Sequence, residues 1–273
     1  MKTLFYWDRV KNFGDLLNKD LFKRVFNYDF LPVENPFVAD AVAIGSLFQC
    51  FYKQKSVNFD KDKVKPIEVY GTGLWTLPPE NIEYIRNFDI KTVRGNLTKQ
   101  YFIEKGLAKN STPVGDYGIL APYYFNEKVE KKYKLGVLPH YKDLRSPVFF
   151  EIFRRNQNAI IINPTNEPDK VIEQILSCEA IVTSSLHGLI IADSFNIPNL
   201  WIEDDLKLDF EPHFKYMDYY SIYENGKDFD PIRAIDFIDK NTDFVINNYK
   251  VDYNNVKEIQ NKLFNSVNEI LSV

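Results

Sequence analysis

The segment Ala180–Ala192, AIVTSSLHGLIIA, constrains this chain more than any other. An apolar, β-branched run stops at three small hydroxylated residues. A histidine follows, and Gly188 opens an apolar stretch of helical character. The pattern reads as strand, tight turn, helix, with His187 at the turn. In an open parallel sheet, ligands bind beyond the carboxyl ends of the strands. A helix that starts there aims unpaired N–H groups at the ligand and favours an anion. The residue types therefore point to a negatively charged substrate at a proton-transfer centre. The competing reading of His187 is a core histidine held by a backbone partner. One of Ser184 and Ser185 is expected to cap the helix.

The same pattern recurs along the chain. Lys2–Trp7 reads as a first buried strand, followed by the loop Asp8–Asp15 and a helix carrying Leu16, Leu17, Leu21, Phe22 and Val25. Val42–Gly45, Ile67–Gly71 and Thr92–Gly95 read as strands or strand ends, and Leu97–Lys105 as a helix stopped by Gly106. The charged run Glu127–Lys134 is the candidate linker. Beyond it come strands at Leu135–Pro139, Ala159–Ile162, Ala180–Thr183 and Asn199–Ile202. Helices are expected at Val148–Phe153, Asp169–Ser177 and Leu186–Phe195, and a final one over 254–271. Strands alternating with helices predict an α/β protein with parallel sheets. The division expected is 1–128 and 129–253, two Rossmann-like domains facing a cleft, with the terminal helix 254–273 completing the first.

Composition narrows the function. The chain has 273 residues, 45% of them hydrophobic and 26% charged, as in ordinary soluble domains. A net charge of −4 without a long basic run argues against nucleic acid as a partner. No stretch reaches the ~20 apolar residues of a membrane span, and the N-terminus lacks the apolar core of a signal peptide. A cytoplasmic location is expected. Cys50 and Cys178 lack metal-ligand spacing and read as buried, reduced thiols. HExxH, CxxC and Walker-type loops are absent, so neither a metal nor a resident cofactor is expected.

Several residues at predicted strand ends are candidates for chemistry. Asn12 and Asp15 lie in the loop NFGD; Asp15 reads either as a helix N-cap or as a base, and Asn12 as a ligand contact. Arg94 is suited to bidentate contact with phosphate or carboxylate. His140 follows the first strand of the second series, and Lys215 lies close to the third histidine, His213. Asp116, beside Gly115 and near Gly118, reads as a turn residue.

These motifs together have a precedent. NFGDLLN (12–18), VRGNLT (93–98), GDYGILAP (115–122), LPHYKD (138–143), the segment from Ser184 to Ile202, and FKYMDYYS (214–221) occur in the order found in polysaccharide pyruvyl transferases. The last of them resembles a motif of the bacterial exopolysaccharide branch. The resemblance spans roughly residues 1–225. It implies a fold like the GT-B glycosyltransferases, and transfer of a pyruvyl group from phosphoenolpyruvate, a co-substrate, to a sugar of a surface polysaccharide or capsule precursor, as a ketal. The acceptor implied is a sugar or a lipid-linked oligosaccharide, which leaves peripheral membrane contact open. By position, His187 resembles the family's site histidine, Arg94 its anion-binding arginine and Asn12 its N-terminal loop residue. The chain departs at Ser185, where many members carry arginine, so anion binding falls to Arg94, Lys215, His140 and the helix start with Ser184 and Ser185. The expected roles are His187 as general acid or phosphate ligand and Asp15 as base. Two other functions remain open: a nucleotide-sugar glycosyltransferase of the same architecture, and a glycan-binding protein without catalysis.

Overall fold

The structure is a computed structural model and describes residues 1–52, 64–80, 82–204 and 213–271. The described residues form two five-stranded sheets, every paired strand parallel. The first holds β1 (Thr3–Phe5), β2 (Leu31–Val33), β3 (Ala41–Val42), β4 (Ile67–Tyr70) and β5 (Phe88–Thr92), in the order β2-β1-β3-β4-β5. The second holds β6 (Tyr133–Leu138), β7 (Ala159–Ile161), β8 (Cys178–Thr183), β9 (Asn199–Glu203) and β10 (Ile232–Arg233), in the order β10-β9-β8-β6-β7. Counted from its own first strand, each sheet has the order 2-1-3-4-5. That order reverses direction between its first and third strands, and the crevice at this switch point is where doubly wound sheets bind ligands.

The α-helices of the first half are α1 (Phe13–Leu16), α2 (Leu21–Phe26) and α3 (Asn96–Glu104). The second half carries α4 (Pro147–Arg155), α5 (Pro168–Leu176), α6 (Leu186–Ser194), α7 (Phe214–Tyr220), α8 (Ala234–Phe237), α9 (Thr242–Asn248) and α10 (Tyr253–Leu271). The α/β reading of the sequence is met, with differences at the edges. β2 and β10 were not legible: LPV and IR are too short to show a period. The stretch 125–132 has no regular structure, but Tyr133 and Lys134 of the proposed linker begin β6.

Helix α6 follows β8 through Ser184 and Ser185, and all nine of its residues are buried. A helix apolar on every side belongs in a core rather than on a surface. Its Leu189, Ile190 and Ile191 join one hydrophobic cluster with Leu4, Phe13, Leu17 and Phe22 from the first half. Val256, Ile259, Leu263 and Val267 of α10 belong to the buried set, at the helical spacing read from sequence. Helix α10 packs on α2, on α6 and on a 3-10 segment over Tyr117–Tyr123. The hydrophobic core is therefore continuous from one sheet to the other.

Candidate active site

A cavity of ≈ 310 Å³ opens where the two switch points meet. Residues following β1 (Trp7, Asn12, Asp15), β3 (Gly45, Ser46), β6 (His140) and β8 (Ser185, His187), with Lys215 of α7, contribute to its wall. The carboxyl ends of both sheets thus converge on one space.

The β1 side is built by the NFGD loop. The Phe13 N–H donates to the Pro164 carbonyl at 2.8 Å, fastening this loop to the second half. Asn12, in extended backbone, precedes α1. Asp15 is in the first turn of α1 and does not cap it; its Oδ2 accepts from Asn12 Nδ2 at 2.8 Å. Asn12 Oδ1 is buried without a hydrogen-bond partner. Burial pushes the Asp15 carboxyl up to about 6, against the Asn12 hydrogen bond and the nearby Lys215 charge. The final residue of the motif, Asn18, exchanges two hydrogen bonds of 2.9 Å with the backbone of Ile44 and so fixes the turn after β3. Gly45 in that turn has φ +121°, a conformation that favours glycine, and a Cβ there would lie 3.1 Å from Asp15 Oδ1.

The β8 side is built by the SSLHG turn. Neither serine caps α6: the Ser185 N–H donates to Thr183 Oγ1 at 2.9 Å, and Ser185 makes no side-chain cap bond. Ser184 is not part of the cavity wall. Its hydroxyl donates to Asp143 at 2.6 Å and accepts the His140 N–H at 2.8 Å, holding the loop that carries His140 into the cavity.

His187 is packed against Gly14, so closely that a Cβ on that glycine would lie 2.0 Å from Nδ1. Its Nε2 is buried, has no hydrogen bond and lies 3.8 Å from Asp116 Oδ2, which is equally unpartnered. Asp116 Oδ1 accepts from the Gly118 N–H at 2.8 Å, so the expected turn role holds. Its second oxygen, facing the imidazole, has no signature in one sequence. Burial pushes the Asp116 carboxyl up to about 7, against the Gly118 hydrogen bond and Arg94. Burial, followed by the charges of Arg94 and Lys215, pulls the His187 imidazole down to about 3. At ion-pair distance the imidazole is nonetheless neutral and the carboxyl keeps its proton up to about pH 7, because desolvation is the largest influence on both.

Arg94 lies behind the cavity rather than in its wall, contrary to the expected ligand role. Its guanidinium is fully buried and committed: Nε donates to Asp218 Oδ2 at 3.0 Å, Nη1 to Ser46 Oγ at 2.8 Å and Nη2 to the Leu74 carbonyl. Asp218 also accepts from the Thr98 N–H at 2.8 Å and the Thr98 hydroxyl at 2.7 Å. Lys215, one turn before Asp218 on α7, does line the cavity. His213 is exposed and paired with Glu203 at 2.8 Å. Sequence reasoning passed over Trp7, Trp75 and Lys142, which also line the cavity; isolated tryptophans and lysines carry no local signal. The described residues contain no group of three or more histidine, cysteine or acidic side chains placed to hold a metal. They include no helix long and apolar enough to cross a membrane.

The family model for polysaccharide pyruvyl transferase matches residues 4–205. An uncharacterized protein of Acanthamoeba polyphaga mimivirus, L143, is 27% identical over 229 residues, covering 82% of this chain and 75% of the relative. The succinoglycan biosynthesis protein ExoV of Rhizobium meliloti (strain 1021) is 27% identical over 201 residues. That match takes in 71% of this chain but only 57% of ExoV. Among solved structures, a functionally uncharacterized protein from Klebsiella pneumoniae matches with a TM-score of 0.46 and 14% identity, covering 85% of this chain and 92% of that one.

Proposed function

This chain belongs to the polysaccharide pyruvyl transferase family, and from that premise we propose that it transfers the pyruvyl group of phosphoenolpyruvate to two hydroxyls of one sugar in an exopolysaccharide precursor, forming a cyclic ketal. One observation carries the reading: two facing switch points bring Asn12 and Asp15, from one sheet, and Ser185 and His187, from the other, to a single cavity with Lys215 beside them. We assign the donor to the second half and the acceptor to the first, in a GT-B-like arrangement. ExoV, through its role in succinoglycan biosynthesis, supports the exopolysaccharide assignment.

The chemistry needs a proton for the methylene carbon of the donor, a base for the attacking hydroxyl, and positive charge for a phosphate and a carboxylate. Lys215 and the start of α6 supply the charge from the wall; Arg94 adds to the field from behind and orients Ser46. With Nε2 buried against Asp116, we assign Nδ1, beside Gly14, as the imidazole nitrogen that serves the ligand. In the unliganded site His187 is neutral, so it is not itself a stored acid. Asp116 is the group that holds a proton near neutral pH, and the arriving anion offsets the cationic charges that, after burial, depress His187. The proton passes from Asp116 through the imidazole to the methylene carbon. The central carbon becomes electrophilic, and a sugar hydroxyl adds to it as its proton moves to Asp15. The second hydroxyl then closes the ring. Its proton leaves with phosphate as the C–O bond to phosphate breaks; the proton on Asp15 passes to solvent, and Asp116 regains one from solvent through the imidazole. A carboxyl near 6 suits a base that must also give its proton back.

The test is phosphate release from phosphoenolpyruvate in the presence of galactose, mannose and N-acetylhexosamine acceptors, with the ketal identified by mass and NMR. The expected result is acceptor-dependent release. No release with any acceptor, together with thermal stabilisation by a nucleotide sugar and none by phosphoenolpyruvate, would replace this reading with glycosyl transfer.

A further inference from the structure

Beyond the reacting centre, the carboxyl edge of the first sheet carries a second cavity. It lies one strand further along, where β1 and β2 end, and has a volume of ≈ 440 Å³. Trp7 and Cys50 belong to the walls of both cavities. The two spaces therefore share Trp7 and Cys50 as a common wall, and each falls in the range of about 300–1,000 Å³ that ligand sites occupy. A further depression of ≈ 320 Å³ shares Phe5, Trp7, Arg9 and Glu34 with the second cavity. Clefts continue in this way from Asn12 and Asp15, past Trp7, to the end of β2.

The chemistry of the second cavity is specific. Arg9 lies over the Trp7 ring, 5.1 Å from its centroid, which orients the guanidinium at the common wall. Glu34 is exposed in the same wall. Among the described residues neither Arg9 nor Glu34 joins an ion pair, so opposite charges share one cavity without neutralising each other. Asn35 uses its Oδ1 to accept the Phe37 N–H at 3.0 Å, which leaves its amide N–H₂ to donate. The set offers guanidinium and amide donors, a carboxylate acceptor, and apolar edges from Trp7 and Phe37. It matches a neutral pyranose, whose adjacent hydroxyls both donate and accept and whose C–H face is apolar. Glu34 disfavours a second phosphate or carboxylate in the same space.

We infer that the acceptor is an oligosaccharide whose second, neutral ring lies in the cavity formed by Trp7, Arg9, Glu34 and Asn35, while its reacting ring meets Asp15. The assignment of the reacting ring rests on the pyruvyl-transfer reading; the existence of the second sugar site does not. The chain then discriminates by length: a disaccharide spans both cavities, and a single sugar fills one.

The test is titration of intrinsic tryptophan fluorescence and calorimetry on the full chain. Methyl galactoside, methyl mannoside and methyl glucoside are compared with galactobiose, lactose, mannobiose and cellobiose. At least one disaccharide is expected to bind about tenfold or more tightly than the glycoside of its reacting ring, the worth of one or two well-formed hydrogen bonds. Glu34→Gln and Arg9→Ala are expected to remove that increment. Both side chains are exposed, so the variants should fold, and their melting curves check this. Affinity independent of length, no binding by any of the sugars, or an increment that survives both substitutions would overturn the inference. Thermal stabilisation by phosphoenolpyruvate, read on the same preparation, separates that failure from failure of the donor assignment.

Discussion

At the scale of residues, the site is governed by what burial does to charge. His187 is neutral because its surroundings penalise the imidazolium, and burial raises both carboxyls, Asp116 to about 7 and Asp15 only to about 6, where it can still serve as a base. His187→Ala should lower turnover by a factor of ~100 or more, measured as phosphate release, if the imidazole carries the proton. Gly14→Ala tests the same geometry from the other side. The added Cβ would overlap the imidazole, so the ring must turn or the loop must move, and activity should fall as far as in the histidine variant. Asp116→Asn keeps the acceptor for Gly118 and removes the titration. In the parent protein the raised carboxyl pKa contributes stability that is full below pH 3.8 and is lost as pH rises through about 7. The melting temperature of Asp116→Asn relative to the parent should therefore climb between pH 4 and 7 and level off above. The free-energy difference there is on the order of a few kcal/mol. A constant offset across that range would show that Asp116 is ionised throughout.

At the scale of elements, helix α7 decides by its placement whether Lys215 joins Lys142 in the cavity wall. Its Asp218 caps the first turn of α3 and pairs with Arg94, and the Ser221 hydroxyl accepts the Asn96 N–H at 2.8 Å. This cluster locks an element of the second half onto the start of a helix in the first, and Lys215 rides on it. Asp218→Asn leaves a buried guanidinium without its countercharge, and a loss of about 3–5 kcal/mol in denaturant unfolding is expected. In the same variant KM for phosphoenolpyruvate should rise, as Lys215 loses its bearing. The α7 motif was readable as a family segment. Its role was not, because the partners Arg94 and Thr98 are 124 and 120 positions away.

At the scale of the whole molecule, two sheets of identical strand order share one core, and α10 closes it. Leu263 lies at the heart of that contact and is fully buried. Leu263→Ala should cost about 2–5 kcal/mol, read from chemical unfolding. Because the cluster spans both sheets, it should unfold in one transition rather than two. The continuous core also means that the approach of the two switch points is set by packing and not by a hinge residue visible in the sequence.

Sequence alone determined the local pieces. Buried strands of a parallel sheet read as apolar β-branched runs, glycines and small polar residues mark their carboxyl ends, and the period of α10 shows its buried face. That was enough to place Asn12, Asp15, His140 and His187 at strand ends, where the structure finds them. Tertiary structure decided which of those ends meet and which charges reach the cavity. Arg94 reads as a ligand but pairs with Asp218 behind the cavity, whereas Asp116 makes the expected turn and in addition faces the histidine. Periodicity reports only the environment along one segment. The pairing of groups more than a hundred residues apart, and the desolvation that fixes their protons, arise only when the two sheets close on each other.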